Sequence, residues 1–154
     1  MRRVLLVDDH AVFRQSLALL TAARLDREAV QAATPDGARR ALADPDGGVC
    51  LAIVDLDLPG GGAFGLIEEL RETGKAAAVL AFTDVPSPRV RARAFRAGAD
   101  EVLASREPVR RYLDAAASLG RASGRRVPGN RTGPRASAPR GKGRGGRRRG
   151  ARGR

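Results

Sequence analysis

The sequence predicts an α/β fold: a doubly wound, five-stranded parallel sheet with helices on both faces. Three observations carry that prediction. Apolar runs of strand length alternate with segments of helical periodicity from the first residues to about Leu119. The runs are rich in Val, Leu, Ile and Ala without the polar alternation of a half-exposed strand, so they read as strands buried on both faces. Each is followed by polar or Gly/Pro residues and then a helix, and five such units in series favour parallel pairing through right-handed crossovers.

Arg3 to Val7 is the first strand, and Phe13, Leu17 and Leu20 recur at i, i+4 and i+7 in the helix behind it. A weaker second strand, Ala29 to Ala33, leads into Thr34-Pro35-Asp36-Gly37, which opens a helix through Ala43. Cys50 to Leu56 is the third strand; Leu66, Ile67 and Leu70 mark the helix after it, which Gly74 stops. Ala77 to Phe82 is the fourth. Ser87-Pro88 then supplies an N-cap and a first-turn proline for a helix ending at Gly98. Glu101 to Ala104 is the fifth strand, and Pro108 starts a last helix reaching about Leu119. The usual order of such a sheet is the flavodoxin-like 2-1-3-4-5, with ligands bound at the carboxyl ends of the strands.

The net charge of +12 suggests an acidic partner until its distribution is considered. Arg121 to Arg154 holds 13 basic residues and no acidic one, leaving 16 basic and 17 acidic residues in the first 120. The sequence thus divides into a near-neutral domain over 1–120 and a disordered basic Arg/Gly-rich tail over 121–154, which has one valine and no aromatic residue and cannot bury a core. The tail fits an arm that binds nucleic acid non-specifically through phosphates, and it equally fits the product of a frameshifted GC-rich gene. The only cysteine, Cys50, excludes an intramolecular disulfide and reads as a small buried hydrophobe. Only four apolar residues precede the first acids, too few for a signal peptide, and no run approaches the roughly 18 apolar residues of a membrane helix. A cytoplasmic protein with no membrane partner is expected.

Polar residues collect where strands end. Asp8-Asp9 follow the first strand, Asp55 ends the third with Asp57 two residues on in V-D-L-D-L-P-G, and Thr83 ends the fourth. The 2-1-3-4-5 order brings these tips together. Carboxylates with no basic partner repel one another, so a divalent cation is their natural complement, and all-oxygen ligation suits Mg²⁺. Asp8-Asp9 alone would fit a helix cap; in register with Asp55 and Thr83 they fit a site. His10 reads as solvent-facing. Gly60-Gly61-Gly62 lacks the following Lys-Ser/Thr of a phosphate loop and reads as a flexible turn. Arg89, Arg93 and Arg96 form a stripe at helical spacing, read as a solvated face.

With these residues in place, the sequence resembles the receiver domain of bacterial response regulators, the phosphoacceptor module of two-component signalling. L-L-V-D-D-H-A-V-F-R resembles the family's acidic pair after strand 1, V-D-L-D-L-P-G its phosphoacceptor segment, L-A-F-T its fourth strand with the terminal hydroxyl, and A-F-R-A-G-A-D-E-V-L its approach to strand 5. The resemblance covers about residues 2 to 119. Its wording is nearest the subfamily that usually carries a C-terminal helix-turn-helix domain, which is not read in this sequence.

The resemblance implies that Asp55 accepts a phosphoryl group from a sensor histidine kinase. It implies that Asp9 and Asp55 ligate Mg²⁺, with Asp8 nearby through water and Asp57 contributing its backbone carbonyl, and that the Thr83 hydroxyl bonds the phosphoryl group. The module would be no enzyme in the ordinary sense, at most phosphorylating and dephosphorylating itself, and its partners would be the kinase and, as a homodimer, a second copy. Three departures stand against the family pattern. Ser105 occupies the place of the family's strand-5 lysine, Val102 that of its switch aromatic, and the loop after Pro59 is about two residues longer. Arg106 beside Ser105 does not restore the charge, because adjacent strand residues point to opposite faces. The alternative is therefore a degenerate receiver that binds protein or nucleic acid without phosphate.

Overall fold

Parallel pairing of the apolar runs organises the chain. In the computed structural model, which describes residues 3–123, β1 (Arg3–Val7), α1 (Ala11–Leu25), β2 (Glu28–Ala32), α2 (Pro35–Ala41), β3 (Leu51–Asp55), α3 (Ala63–Glu72), β4 (Val79–Thr83), α4 (Pro88–Ala97), β5 (Glu101–Ala104) and α5 (Val109–Ser123) follow in strict alternation. The five strands form one sheet in the order β2-β1-β3-β4-β5, every neighbour parallel. This is the flavodoxin-like order that the sequence predicts. β3 and β4 are buried at all five positions, as central strands covered on both faces must be.

The period of two divides the sheet's side chains between two cores. Leu5, Val7, Ala52, Val54, Val79, Ala81 and Val102 meet α2, α3 and α4 through Ala38, Leu66, Ile67, Leu70, Ala94 and Ala97. Val4, Leu6, Leu51, Ile53, Leu80, Phe82 and Leu103 meet α1 and α5 through Leu17, Ala18, Tyr112, Ala115 and Ala116. Residues 8, 55 and 105, just past or at the strand ends, continue the α1/α5 face.

Local chemistry sets where elements begin and stop. The Thr34 hydroxyl accepts from the Gly37 amide at 3.0 Å, and that of Ser87 from the Val90 amide at 3.2 Å, each before a proline in the first turn. Gly60, Gly61 and Gly62 have φ of 79°, 74° and 88°, so the triple glycine is three successive left-handed residues that re-aim the chain into α3. Asp100 exchanges two bonds with Val79: its amide donates to the Val79 carbonyl and its carboxylate accepts from the Val79 amide, both at 2.8 Å. That clamp fixes the α4–β5 turn to β4.

Two expectations need correction. Cys50 lies just before β3, which begins at Leu51, and is half-buried, its thiol donating to the Arg3 carbonyl at 3.1 Å. The last helix does not stop at about Leu119: α5 continues to Ser123, whose hydroxyl bonds the Leu119 carbonyl at 2.7 Å and the Cys50 carbonyl at 3.2 Å. The rest of the expected basic tail, residues 124–154, lies outside the described residues.

Gly98 ends α4 with φ 115°, and a Cβ there would stand 2.6 Å from Arg71 Cγ. Gly98→Ala should therefore lower unfolding stability by about 1–3 kcal/mol, read as a drop in urea midpoint at unchanged m-value. An unchanged midpoint would contradict this account of the turn.

Candidate functional site

Register alone sets the acidic residues side by side. Val7 pairs with Val54, Asp55 with Phe82, and Thr83 with Ala104, so the chain leaves β1, β3, β4 and β5 at nearly one level. Asp8 and Asp55 are buried, at 3% and 4% exposure, and Thr83 is at 1%. Asp9, His10, Asp57 and Asp84 stand exposed around them, and Ser105 is half-buried. Asp8, His10, Phe13, Asp55, Asp57, Phe82, Asp84 and Ser105 line a cleft of about 270 Å³. Under it, the rings of Phe13, Phe82 and Tyr112 pack against one another at 5.6 Å centroid spacing, an apolar floor that keeps water from the buried side of the acids. The Tyr112 hydroxyl donates to the Ala104 carbonyl at 3.1 Å.

The hydrogen bonds divide the work. The Asp57 amide donates to Asp55 Oδ1 at 2.8 Å, fixing the orientation of that carboxyl group. Asp8 Oδ1 accepts from the His10 amide at 2.8 Å. The Asp57 carboxylate faces the end of β4, accepting from Thr83 Oγ1 at 3.0 and 3.1 Å and from the Asp84 amide at 2.6 Å. Burial pushes the Asp55 carboxyl up to about 6; the Asp57 amide opposes the rise, and the charges of Asp8, Asp57 and Asp9 add to it. His10 is exposed as expected, but its ring is engaged: Nδ1 lies 3.0 Å from Asp8 Oδ1 and 3.3 Å from Asp9 Oδ1. The bond to Asp8, then the charge of Asp9, raises the imidazole's affinity for a proton.

One ligand atom each from Asp8, Asp9, His10 and Asp55 lie within 4.8 Å of one another. The three carboxylates offer the hard oxygen donors that suit a divalent cation such as Mg²⁺, and their mutual repulsion is what such an ion would offset.

Sequence reasoning identifies Asp8, Asp9, Asp55, Asp57 and Thr83, and the structure brings all five to one place. It misses the Asp57 side chain's contact with Thr83, the presence of Asp84, and Arg14, whose guanidinium donates to the Asp8 carbonyl from α1. Thr83-Asp84 adjacency was the one available signal for the second of these. The arginine stripe is exposed as expected, yet Arg93 lies 3.9 Å over the Phe64 ring and so ties α4 to α3. Arg91, between the stripe positions, donates to the carbonyls of Val102 at 2.7 Å and Pro86 at 3.2 Å.

Residues 4–116 match the family described as the response regulator receiver domain. No curated protein matches the chain. Among solved structures, a CheY-like response regulator receiver domain from Methanospirillum hungatei is similar at 20% identity and a TM-score of 0.71, over 80% of this chain and 97% of that one. A DNA-binding response regulator of the LuxR family from Staphylococcus aureus is similar at 15% identity and 0.68, over 78% and 99%. A chemotaxis response regulator of Vibrio cholerae is similar at 22% identity and 0.66, over 77% and 98%. No helix of the described residues is long and apolar enough to cross a membrane.

The raised Asp55 carboxyl makes a pH prediction for metal-free protein. A group that holds its proton more tightly when folded stabilises the fold below its unfolded value of 3.8, and that contribution is lost as pH rises through about 6. Asp55→Asn should thus be more stable than wild type by about 1–3 kcal/mol above that range, the difference vanishing below it. Urea unfolding across pH checks this; a difference independent of pH would refute the burial argument.

Proposed function

The chain belongs to the response regulator receiver domain family, and we propose that it accepts a phosphoryl group on Asp55 from a sensor histidine kinase in a Mg²⁺-dependent reaction. The supporting observation is the placement of Asp55: a buried carboxyl at the tip of β3, one oxygen held by the Asp57 amide, with the carboxylates of Asp8 and Asp9 close by. The free oxygen attacks phosphorus, the P–N bond to the kinase's phosphohistidine breaks, and the imidazole nitrogen keeps the electron pair. Asp9 and Asp55, with Asp8 through water and the Asp57 backbone carbonyl, would hold Mg²⁺, whose charge offsets that of both reacting partners. A rigid strand tip keeps the nucleophile in line. The Thr83 hydroxyl, at the end of the neighbouring strand β4, would be the donor for the transferred group. A cytoplasmic location belongs to this reading.

Incubation of the full chain with a small phosphodonor and Mg²⁺ should add the mass of one phosphoryl group, and omission of Mg²⁺ or Asp55→Asn should abolish the addition. Equal labelling of wild type and the Asp55 variant would sink the proposal and favour a receiver that works as a binding module without phosphate.

For the basic segment we propose non-specific binding to nucleic acid, supported by its 13 positive charges against a near-neutral remainder. Each phosphate neutralised releases condensed counterion, so affinity should fall with salt at a log-log slope near 0.9 per contact on duplex DNA, regardless of sequence. Truncation after Ser123, which leaves α5 whole, should remove the binding. Undiminished low-salt affinity in the truncated protein would assign binding elsewhere.

A further inference from the structure

The phosphoryl-transfer chemistry uses only the backbone of Asp57, yet its side chain holds both donors at the end of β4. The Thr83 hydroxyl and the Asp84 amide converge on this one carboxylate, across 26 and 27 residues of sequence, so the contact is not a local turn cap. Thr83 is almost fully buried, which leaves its hydroxyl little recourse to water if the carboxylate departs. Asp57 is in turn tied to Asp55 by its own amide.

We infer that the Asp57 carboxylate stands in for a phosphoryl group in the unmodified protein, holding the Thr83 hydroxyl and the Asp84 amide in the place where an anion on Asp55 would hold them. The inference rests on the reading of Asp55 as phosphoacceptor. Carboxylate and phosphoryl oxygens are the same kind of acceptor for charge-assisted bonds, so the two compete for the same donors. Ser105, half-buried in the same cleft, supplies no positive charge that would favour the doubly charged competitor. Two consequences follow. A phosphoryl group on Asp55 must displace the Asp57 side chain before it can use Thr83. The segment from Thr83 to Ser87 is already drawn toward the β3 tip, so modification of Asp55 moves it little.

The test uses ¹H–¹⁵N NMR of the full chain in wild type, Asp57→Ala and the isosteric Asp57→Asn, with beryllium trifluoride at saturating Mg²⁺ as the phosphoryl mimic. In metal-free protein the Asp84 amide should resonate downfield in wild type and move upfield in Asp57→Ala. Saturation by beryllium trifluoride should need a concentration about tenfold or more higher in wild type than in Asp57→Ala, with Asp57→Asn between them. The Thr83–Ser87 amides should shift less on saturation in wild type than in Asp57→Ala. An Asp84 amide that ignores both substitutions overturns the inference without touching the phosphoacceptor reading, as does equal saturation in all three proteins. Failure of every protein to respond to beryllium trifluoride, with the Asp84 shift intact, overturns the phosphoacceptor reading and the competition that depends on it.

Discussion

The structure turns on a buried carboxyl group at the end of a strand that has no exposed face. Asp55 is held there by β1 on one side and β4 on the other, and both neighbours end in polar groups at the same level. Like charges in such proximity repel by about 4 kcal/mol per pair at 4 Å under an effective dielectric of 20. The repulsion is sustained because the apolar residues behind it do not permit retreat. Leu51 and Ile53 are locked between α1 and α5, Ala52 and Val54 against α2 to α4, and a slip of one residue would invert both faces. The sheet therefore fixes the acids at a cost, and the raised affinity of Asp55 for its proton follows first from its burial and then from the neighbouring charges.

The far side of the site is built differently from the family pattern to which the sequence compares. Where a lysine would end β5, Ser105 offers a hydroxyl, and its amide merely continues the ladder to the Thr83 carbonyl at 2.9 Å. Where an aromatic ring would mark β5, Val102 is a small buried core residue, and Arg91 of α4 reaches the Val102 carbonyl. Aromatic mass is gathered instead on the other face, in the Phe13, Phe82 and Tyr112 cluster. A guanidinium bonded to two backbone carbonyls ties α4 to β5 and to Pro86 in the loop between β4 and α4.

What the sequence revealed and what it hid follow from the range of the interactions concerned. The sheet order, the helices and the convergence of Asp8, Asp9, Asp55 and Thr83 were legible because strand burial, capping residues and parallel crossovers are encoded within short windows. Strand ends shifted by a residue or two, β4 from Ala77–Phe82 to Val79–Thr83, since small alanines carry little pattern. Contacts between residues far apart in sequence were not legible. No local rule points the Asp57 side chain at β4, sets Arg93 on Phe64, or seats Ser123 on Cys50. His10 was placed correctly in solvent, but its two carboxylate neighbours depend on the turn after β1, which capping rules do not specify.

These long-range contacts bear on how charge is balanced at the site. Asp8, Asp55, Asp57 and Asp84 line one cleft to which, among the described residues, no lysine or arginine side chain contributes, and the nearby Arg14 spends its bond on a backbone carbonyl. Among the described residues lining it, His10 is the one cationic candidate, and it lies against Asp8 and Asp9, whereas Asp57 bonds Thr83. Compensation is thus lopsided: the β1 side can be neutralised by imidazolium or a divalent cation, while the β4 side has only neutral donors, a hydroxyl and an amide. If Asp55 accepts a phosphoryl group as proposed, that group draws on the two donors that the Asp57 carboxylate already uses. The balance between an added phosphoryl group and the resident Asp57 side chain is therefore set by the ordering of neutral dipoles more than by net charge, which makes the response of this site sensitive to the geometry of residues 83 to 87.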